Sequence, residues 1–445
     1  MRIQLSDHFT YKKLIRFTLP TMAMMIISSI YGVVDGFFVS NFAGKTPFAA
    51  INLIMPYIMI FSTIGFIFGT GGSAIVAKTL GEKNKADANR YFSLFVYVSF
   101  VLGALFAVLG IVFVRPTAIL LGAEGTLLED AVRYTNIVLA VLPFNTLLFL
   151  FQPFFSTAEK PQLGLITTIS SGVMNIVLDA VLVLLLPQDQ KLVGAAIATA
   201  MSQVVGGGIP LFYFWRKNNS LLRIGKAKLE GKIILKAITN GSSEFMTNVS
   251  MSIVGMLYNV QLIEYAGENG VAAYGVMMYV SMIFSALFIG YSIGVAPIIA
   301  FHDGARNHGE VKELLKRSAV LIGIFGVGMV AAGEILAVPL ARIFVGYDDE
   351  LMKLTVTGFR IFASSFLFMG YAIFGSSFFT ALNDGLVSAL ISFLRTMVFQ
   401  VAAVLLLPAF LGIDGIWYSI IVAEFMAMAL SAFFVMIKRK NYGYM

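Results

Sequence analysis

Two carboxylates and an amide stand in otherwise apolar surroundings. Asp35 is embedded in Tyr31-Gly32-Val33-Val34-Asp35-Gly36-Phe37-Phe38-Val39, and Asp179 closes the run Asn175-Ile176-Val177-Leu178-Asp179. On a helix, residues four apart share one face, so Asn175 and Asp179 point the same way. A carboxylate plus an amide oxygen suits a hard cation, which prefers oxygen ligands, and equally suits a carboxyl group that trades protons with water. The competing structural reading is that these groups only hydrogen-bond between helices. Three further charged residues lie in apolar stretches: Glu244, Arg395 and Glu424. They are candidates for a substrate cavity, or for charge pairs: Glu244 with Arg395 or a helix terminus, Glu424 with Arg395 or Arg360. Met55 and Met278 are cavity candidates of another kind, because flexible thioethers accommodate many ligand shapes. Pro20 removes one backbone donor from its helix, which makes it a fixed kink or a hinge.

The elements that position these residues follow from composition. Apolar residues make up 58% of the chain, charged residues 12%, and the mean hydropathy is +0.87. Soluble domains are roughly 45–50% apolar and about 25% charged. Lipid must therefore be part of the solvent. The net charge of +7 is scattered over short loops, not gathered on one soluble face, so nucleic acid is not expected as a partner. With no cysteine there is no disulfide framework and no thiolate metal site. The three histidines do not suggest a metal cage, since His8 is terminal and His302 and His308 are expected in loops. The glycine run Gly69-Thr70-Gly71-Gly72-Ser73 lacks the lysine of a phosphate loop and reads as close helix packing. No nucleophile or nucleotide motif points to an enzyme, and no cofactor is implied.

Apolar stretches of about 20 residues or more predict twelve transmembrane helices. They fall at 13–40, 50–79, 89–115, 127–157, 160–186, 191–217, 232–265, 270–303, 312–338, 350–381, 384–410 and 413–438. The first run is followed by Asn41-Phe42-Ala43-Gly44 and no cleavage site, so it reads as a retained span. Counting loops alternately, Lys and Arg divide 23 to 6 in favour of the side holding the termini. Arg2 is among the 23. The imbalance predicts both termini in the cytoplasm.

The two halves repeat. Moving the sequence 223 residues along itself places Ala43-Gly44 on Ala266-Gly267, Gly71 on Gly294, Gly81 on Gly304 and Asn84 on Asn307. At nearly the same shift, Phe154-Phe155 meets Phe378-Phe379 and Leu184-Leu185-Leu186-Pro187 meets Leu405-Leu406-Leu407-Pro408. Six spans separate the copies, an even number, so both enter the membrane in the same direction. The expected fold is an all-α integral membrane protein of two pseudo-symmetric six-helix bundles, with the substrate path between them. The expected lobes are 1–217 and 232–445, joined by a polar cytoplasmic linker at 218–231.

An ordered set of motifs spans both halves: Phe17-Thr18-Leu19-Pro20, Val34-Asp35, Lys78-Thr79-Leu80-Gly81-Glu82-Lys83, Asn175 to Asp179, Asn240-Gly241-Ser242-Ser243-Glu244 and Gly294-Val295-Ala296-Pro297. With these the chain resembles bacterial members of the multidrug and toxic compound extrusion (MATE) family. The resemblance implies a cation-coupled exporter of small organic compounds in the plasma membrane, acting as a monomer. It implies that Asp35, Asn175 and Asp179 form the coupling site for Na+ or H+, and that Glu244 lines the cavity. One branch of the family adds an aspartate in span ten, and the stretch from Gly358 to Ala381 holds no acid here. A second cation site in the C-terminal half is therefore not expected. The alternatives are a flippase for lipid-linked precursors, which would usually carry fourteen spans and a basic cavity, and a channel or receptor without coupled transport.

Overall fold

The computed structural model describes residues 3–346 and 348–444; Arg2, one of the topology charges, lies outside them. Among the described residues, nine helices are each long and apolar enough to cross a membrane. Two helix pairs do so as bent units, Gly125–Ala140 with Leu142–Thr157 at 61° and Asp349–Ala363 with Phe366–Ala381 at 48°. The longest helix, Gly231–Gly304, is interrupted at Gly267, whose φ of 60° and ψ of −150° are not helical. It is therefore two spans, and the total is twelve. The first break of the other half falls at Gly44, also at positive φ (114°). These two glycines are repeat partners, and each supplies a backbone conformation that residues with a Cβ rarely adopt.

Four turns at one end of the molecule are built alike. Lys83, Glu159, Arg306 and Asn383 take φ values of 63°, 58°, 54° and 61°. In each, the next amide donates five residues back: Asn84 to Thr79, Lys160 to Phe155, Asn307 to His302 and Asp384 to Phe379. This left-handed stop satisfies the last carbonyls of the outgoing helix. The returning helix starts at once, because Asn84 and Asn307 accept from the amides of Asp87 and Glu310 and Asp384 accepts from Val387. The in-register Asn84 and Asn307 of the repeat are thus equivalent helix caps.

The lobes touch closely at this same end. A Cβ on Gly81 would lie 2.0 Å from the Phe301 carbonyl oxygen, and one on Gly304 would lie 2.1 Å from that of Lys78. Nearby, Gly71 and Gly241 face the carbonyls of Ala237 and Ile67 at 2.2 and 2.1 Å in the same sense. Span two thus crosses spans seven and eight backbone to backbone, which explains the glycine run at 69–73. Lys78 Nζ reaches Asp303 Oδ2 at 2.7 Å across the seam. The N-terminal segment lies over it, with Leu5 and Phe9 fully buried. The Leu5 amide donates to Glu159 of one half and the Phe9 amide to Glu310 of the other, both at 2.8 Å. Replacing Gly81 by Ala should lower stability by about 1–3 kcal/mol, because overpacking against a fixed carbonyl outweighs the better helix propensity of alanine. The melting temperature of detergent-purified protein measures it, and an unchanged or raised value would refute the close crossing.

Two expectations need correction. The connection after Trp215 is not wholly polar: Leu222 and Ile224 are buried, and the amides of Arg223 and Gly225 donate to Asn89 and Ser93 of span three. Its exposed side chains are basic while its apolar ones anchor it, a pattern of alternation too short to register as a hydrophobic run. His302 is not in a loop but in the last turn of span eight, buried at the lobe seam. His308 starts span nine. Pro20 lies within a helix that runs unbroken over Tyr11–Phe38.

Candidate functional site

Each half encloses a cavity within the helix bundle. The N-terminal cavity, about 300 Å³, is lined by Asp35, Asn175, Met55, Tyr134 and Thr199 among others. Asp35 comes from span one, Asn175 and Asp179 from span five, Tyr134 from the first limb of span four and Thr199 from span six. Spans one and five approach closely because Tyr31 lays its ring against Gly172, where a Cβ would sit 1.7 Å from the ring, and its hydroxyl donates to the Thr168 carbonyl at 3.0 Å. That contact sets Asp35 beside Asp179.

The Asp35 carboxyl lies within hydrogen-bonding reach of Asp179, Asn175 and Thr199. Asp179 is wholly buried and Asn175 nearly so. Oδ1 of Asp35 and both carboxyl oxygens of Asp179 are sealed from solvent and receive no hydrogen bond from the described residues. Two ionised carboxylates at about 4 Å repel by about 4 kcal/mol at an effective dielectric near 20. A pair so placed is balanced by a shared proton or by a cation between the oxygens. The donor set of two carboxyls, one amide oxygen and one hydroxyl suits a hard monovalent or proton ligand. Among the described residues, no group of three or more His, Asp or Glu gathers as a transition-metal site would require.

Tyr134 and Thr199 were not foreseen from sequence. Tyr134 is buried beside the pair, on a span whose bend at Val141 turns that limb inward. Neither residue carries a charge out of place, and membrane spans contain many uncharged polar residues, so only packing singles them out.

The C-terminal cavity, about 240 Å³, is lined by Glu244, Tyr258, Tyr274, Met278, Arg395 and Glu424 among others. Arg395 Nε lies 2.8 Å from Glu424 Oε2 and Nη2 lies 2.9 Å from Oε1, a forked pair between spans eleven and twelve. This settles the charge pairing. Glu424 is matched by Arg395, not by Arg360, which pairs with Glu334 at 3.3 Å at a half-exposed position. Arg395 is therefore unavailable as the main partner of Glu244. The Glu244 carboxylate has no ion-pair or hydrogen-bond partner among the described residues and faces the cavity. Met55 and Met278 line one cavity each.

The profile of the family described as MatE matches residues 20–181 and 245–405, one match in each half. The chain belongs to the MatE family. Like the internal repeat, the two matches begin about 225 residues apart. Similar relatives include the multidrug export protein MepA of Staphylococcus haemolyticus, 27% identical over 429 residues covering 96% of this chain and 93% of that protein. MepA of Staphylococcus aureus is 24% identical over 415 residues, covering 93% and 91%. Among solved structures, MATE in the straight conformation superposes with a TM-score of 0.92 at 21% identity, over 98% of both chains. The outward-facing conformation of a multidrug resistance MATE family transporter gives 0.91 at 21% identity, again over 98% of both. The MatE chain is thus a multi-pass membrane protein with the twelve-helix, two-lobe fold of these structures.

Proposed function

We propose that this chain is a secondary antiporter that exports small organic compounds, chiefly cationic and amphipathic, in exchange for Na+ or H+. The observation that carries the reading is the Asp35–Asp179 pair, whose buried oxygens lack donors and so call for a positive ion. The names of the MepA relatives support drug export. The ion binds at Asp35, Asp179 and Asn175 with help from Thr199, and cargo occupies the inter-lobe path and the C-terminal cavity. Coupling requires that ion and cargo favour different states of the two lobes, since a ligand without preference shifts nothing. The seam of Lys78, Asp303 and residues 3–10 closes one mouth in this state. The Lys and Arg excess places that mouth at the cytoplasm, with the linker 218–231 beside it and the protein in the plasma membrane. Pro20 serves as a hinge in span one. Because the path lies between the chain's own lobes, one copy suffices. The flippase reading is disfavoured by twelve spans and by carboxylates in the cavities.

The test is dye efflux from proteoliposomes under a Na+ gradient at fixed pH, then under a pH gradient without Na+. One of the two gradients should drive efflux at least about tenfold above the rate without a gradient, the factor that a ratio of free energies of 1.4 kcal/mol represents. Efflux indifferent to both gradients would sink the antiport scheme.

A further inference from the structure

The repeat relates the two cavities residue by residue. At a shift of 223, Asp35 falls on Tyr258; at the shift of 221 that aligns Leu184–Pro187 with Leu405–Pro408, Asn175 falls on Thr396 and Asp179 on Gln400. Tyr258, Thr396 and Gln400 all line the C-terminal cavity. The second copy of the ion site is therefore present as a place but has lost both carboxyls. In their stead stands Arg395, one residue before Thr396, in the π-helical turn Leu394–Phe399. Such one-turn insertions re-aim side chains and concentrate at functional sites.

Arg395 is not fully consumed by Glu424. Its Nε and Nη2 hold the carboxylate, whereas Nη1 makes no hydrogen bond among the described residues and is not sealed from solvent. The same cavity wall carries the unpaired carboxylate of Glu244 and a stacked tyrosine pair, Tyr258 and Tyr274, with ring centroids 5.1 Å apart and planes 4° from parallel. One cavity thus offers a negative group, the free edge of a guanidinium and flat aromatic surface. A plain cation would use the first and the last. The free guanidinium edge fits a carboxylate, which accepts charge-assisted hydrogen bonds from it.

We propose that Arg395 makes the C-terminal cavity a recognition site for zwitterionic aromatic cargo, with its amine at Glu244 and its carboxylate at Arg395 Nη1. The inference rests on the export reading above and names the cargo class of that site. Glu424 holds the guanidinium so that one edge always faces the cavity. The neutral counterparts at Tyr258, Thr396 and Gln400 leave that edge without a competing fixed carboxylate of the kind the N-terminal site holds.

The probes are a rhodamine methyl ester and its free acid, the same dye without and with a carboxylate. Binding to the detergent-purified full chain is read by fluorescence anisotropy, and the quantity compared is the ratio of the two affinities. Arg395→Met with Glu424→Gln removes both charges together, so neither is left buried alone. This double variant should shift the ratio against the free acid by about tenfold, the loss of one charge-assisted bond. A merely structural pair would weaken both dyes alike, and an unmoved ratio overturns the proposal. If the double variant is lost on purification, Arg395→Lys, which keeps the charge but not the fork, is read the same way: the ratio should shift in the same direction, and no shift overturns the proposal. Asp35→Asn separates this from the coupling scheme, because it should stop gradient-driven efflux of both dyes while leaving the affinity ratio in detergent unchanged.

Discussion

Asp35→Asn, in proteoliposomes under the driving gradient, should reduce export to the rate of protein-free vesicles. The substitution keeps size and shape but removes one of two charges that face each other. The mutual repulsion of the pair, about 4 kcal/mol at contact in an effective dielectric near 20, is what a captured proton or cation relieves. Removing it lowers ion affinity by about a thousandfold at 1.4 kcal/mol per decade. Asp179→Asn should do the same, because Asp179 is wholly buried and its oxygens have no donor of their own. The neutral neighbours should matter less. Tyr134→Phe and Thr199→Ala each remove one uncharged hydrogen-bonding group, a loss of about 0.5–1.5 kcal/mol and so about tenfold at most in ion affinity. This grading separates an ion site from interhelical glue. If the glue reading holds, all four substitutions lower the melting temperature and none changes ion dependence. Normal export by either aspartate variant at normal expression would remove the pair from the coupling scheme.

Glu424→Ala should destabilise the protein by about 3–5 kcal/mol, because it leaves the Arg395 guanidinium buried without its carboxylate. Glu424 is 1% exposed and Arg395 15%, so water cannot replace the lost partner. Arg395→Met with Glu424→Gln should recover most of that loss, since removing both charges avoids an uncompensated one. Thermal unfolding in one detergent, with all variants side by side, measures the differences. Equal stability of Glu424→Ala and the parent would show that water or another group already satisfies Arg395.

The same asymmetry governs what could be read from the sequence. Asp35, Asn175 and Asp179 were legible because a charge in an apolar run needs a reason, and because i, i+4 spacing fixes two of them on one face. Glu244, Arg395 and Glu424 were legible as exceptions in the same way, but their pairing was not. Arg395 and Glu424 come from successive spans, and nothing in either run distinguishes a carboxylate on the facing helix from one elsewhere. Tyr134 and Thr199 left no trace, since uncharged polar groups occur throughout membrane helices. The linker misled for a related reason: Leu222 and Ile224 are two residues apart in a basic stretch, and their burial depends on a docking surface on span three.

The amino-acid sequence by itself determined that the chain lives in lipid, that it crosses twelve times, and that its two halves enter in the same direction. Those properties depend on hydrophobic length, on charge counted by loop and on glycines whose backbone role is local, all of which are written along one dimension. The tertiary structure alone decided which charges meet. Spans one and five bring two carboxyls together over Gly172, spans eleven and twelve close Arg395 on Glu424, and Glu244 is left facing a cavity. Contacts between helices depend on rotation and crossing angle, set by how many side chains pack at once, and no single span encodes them.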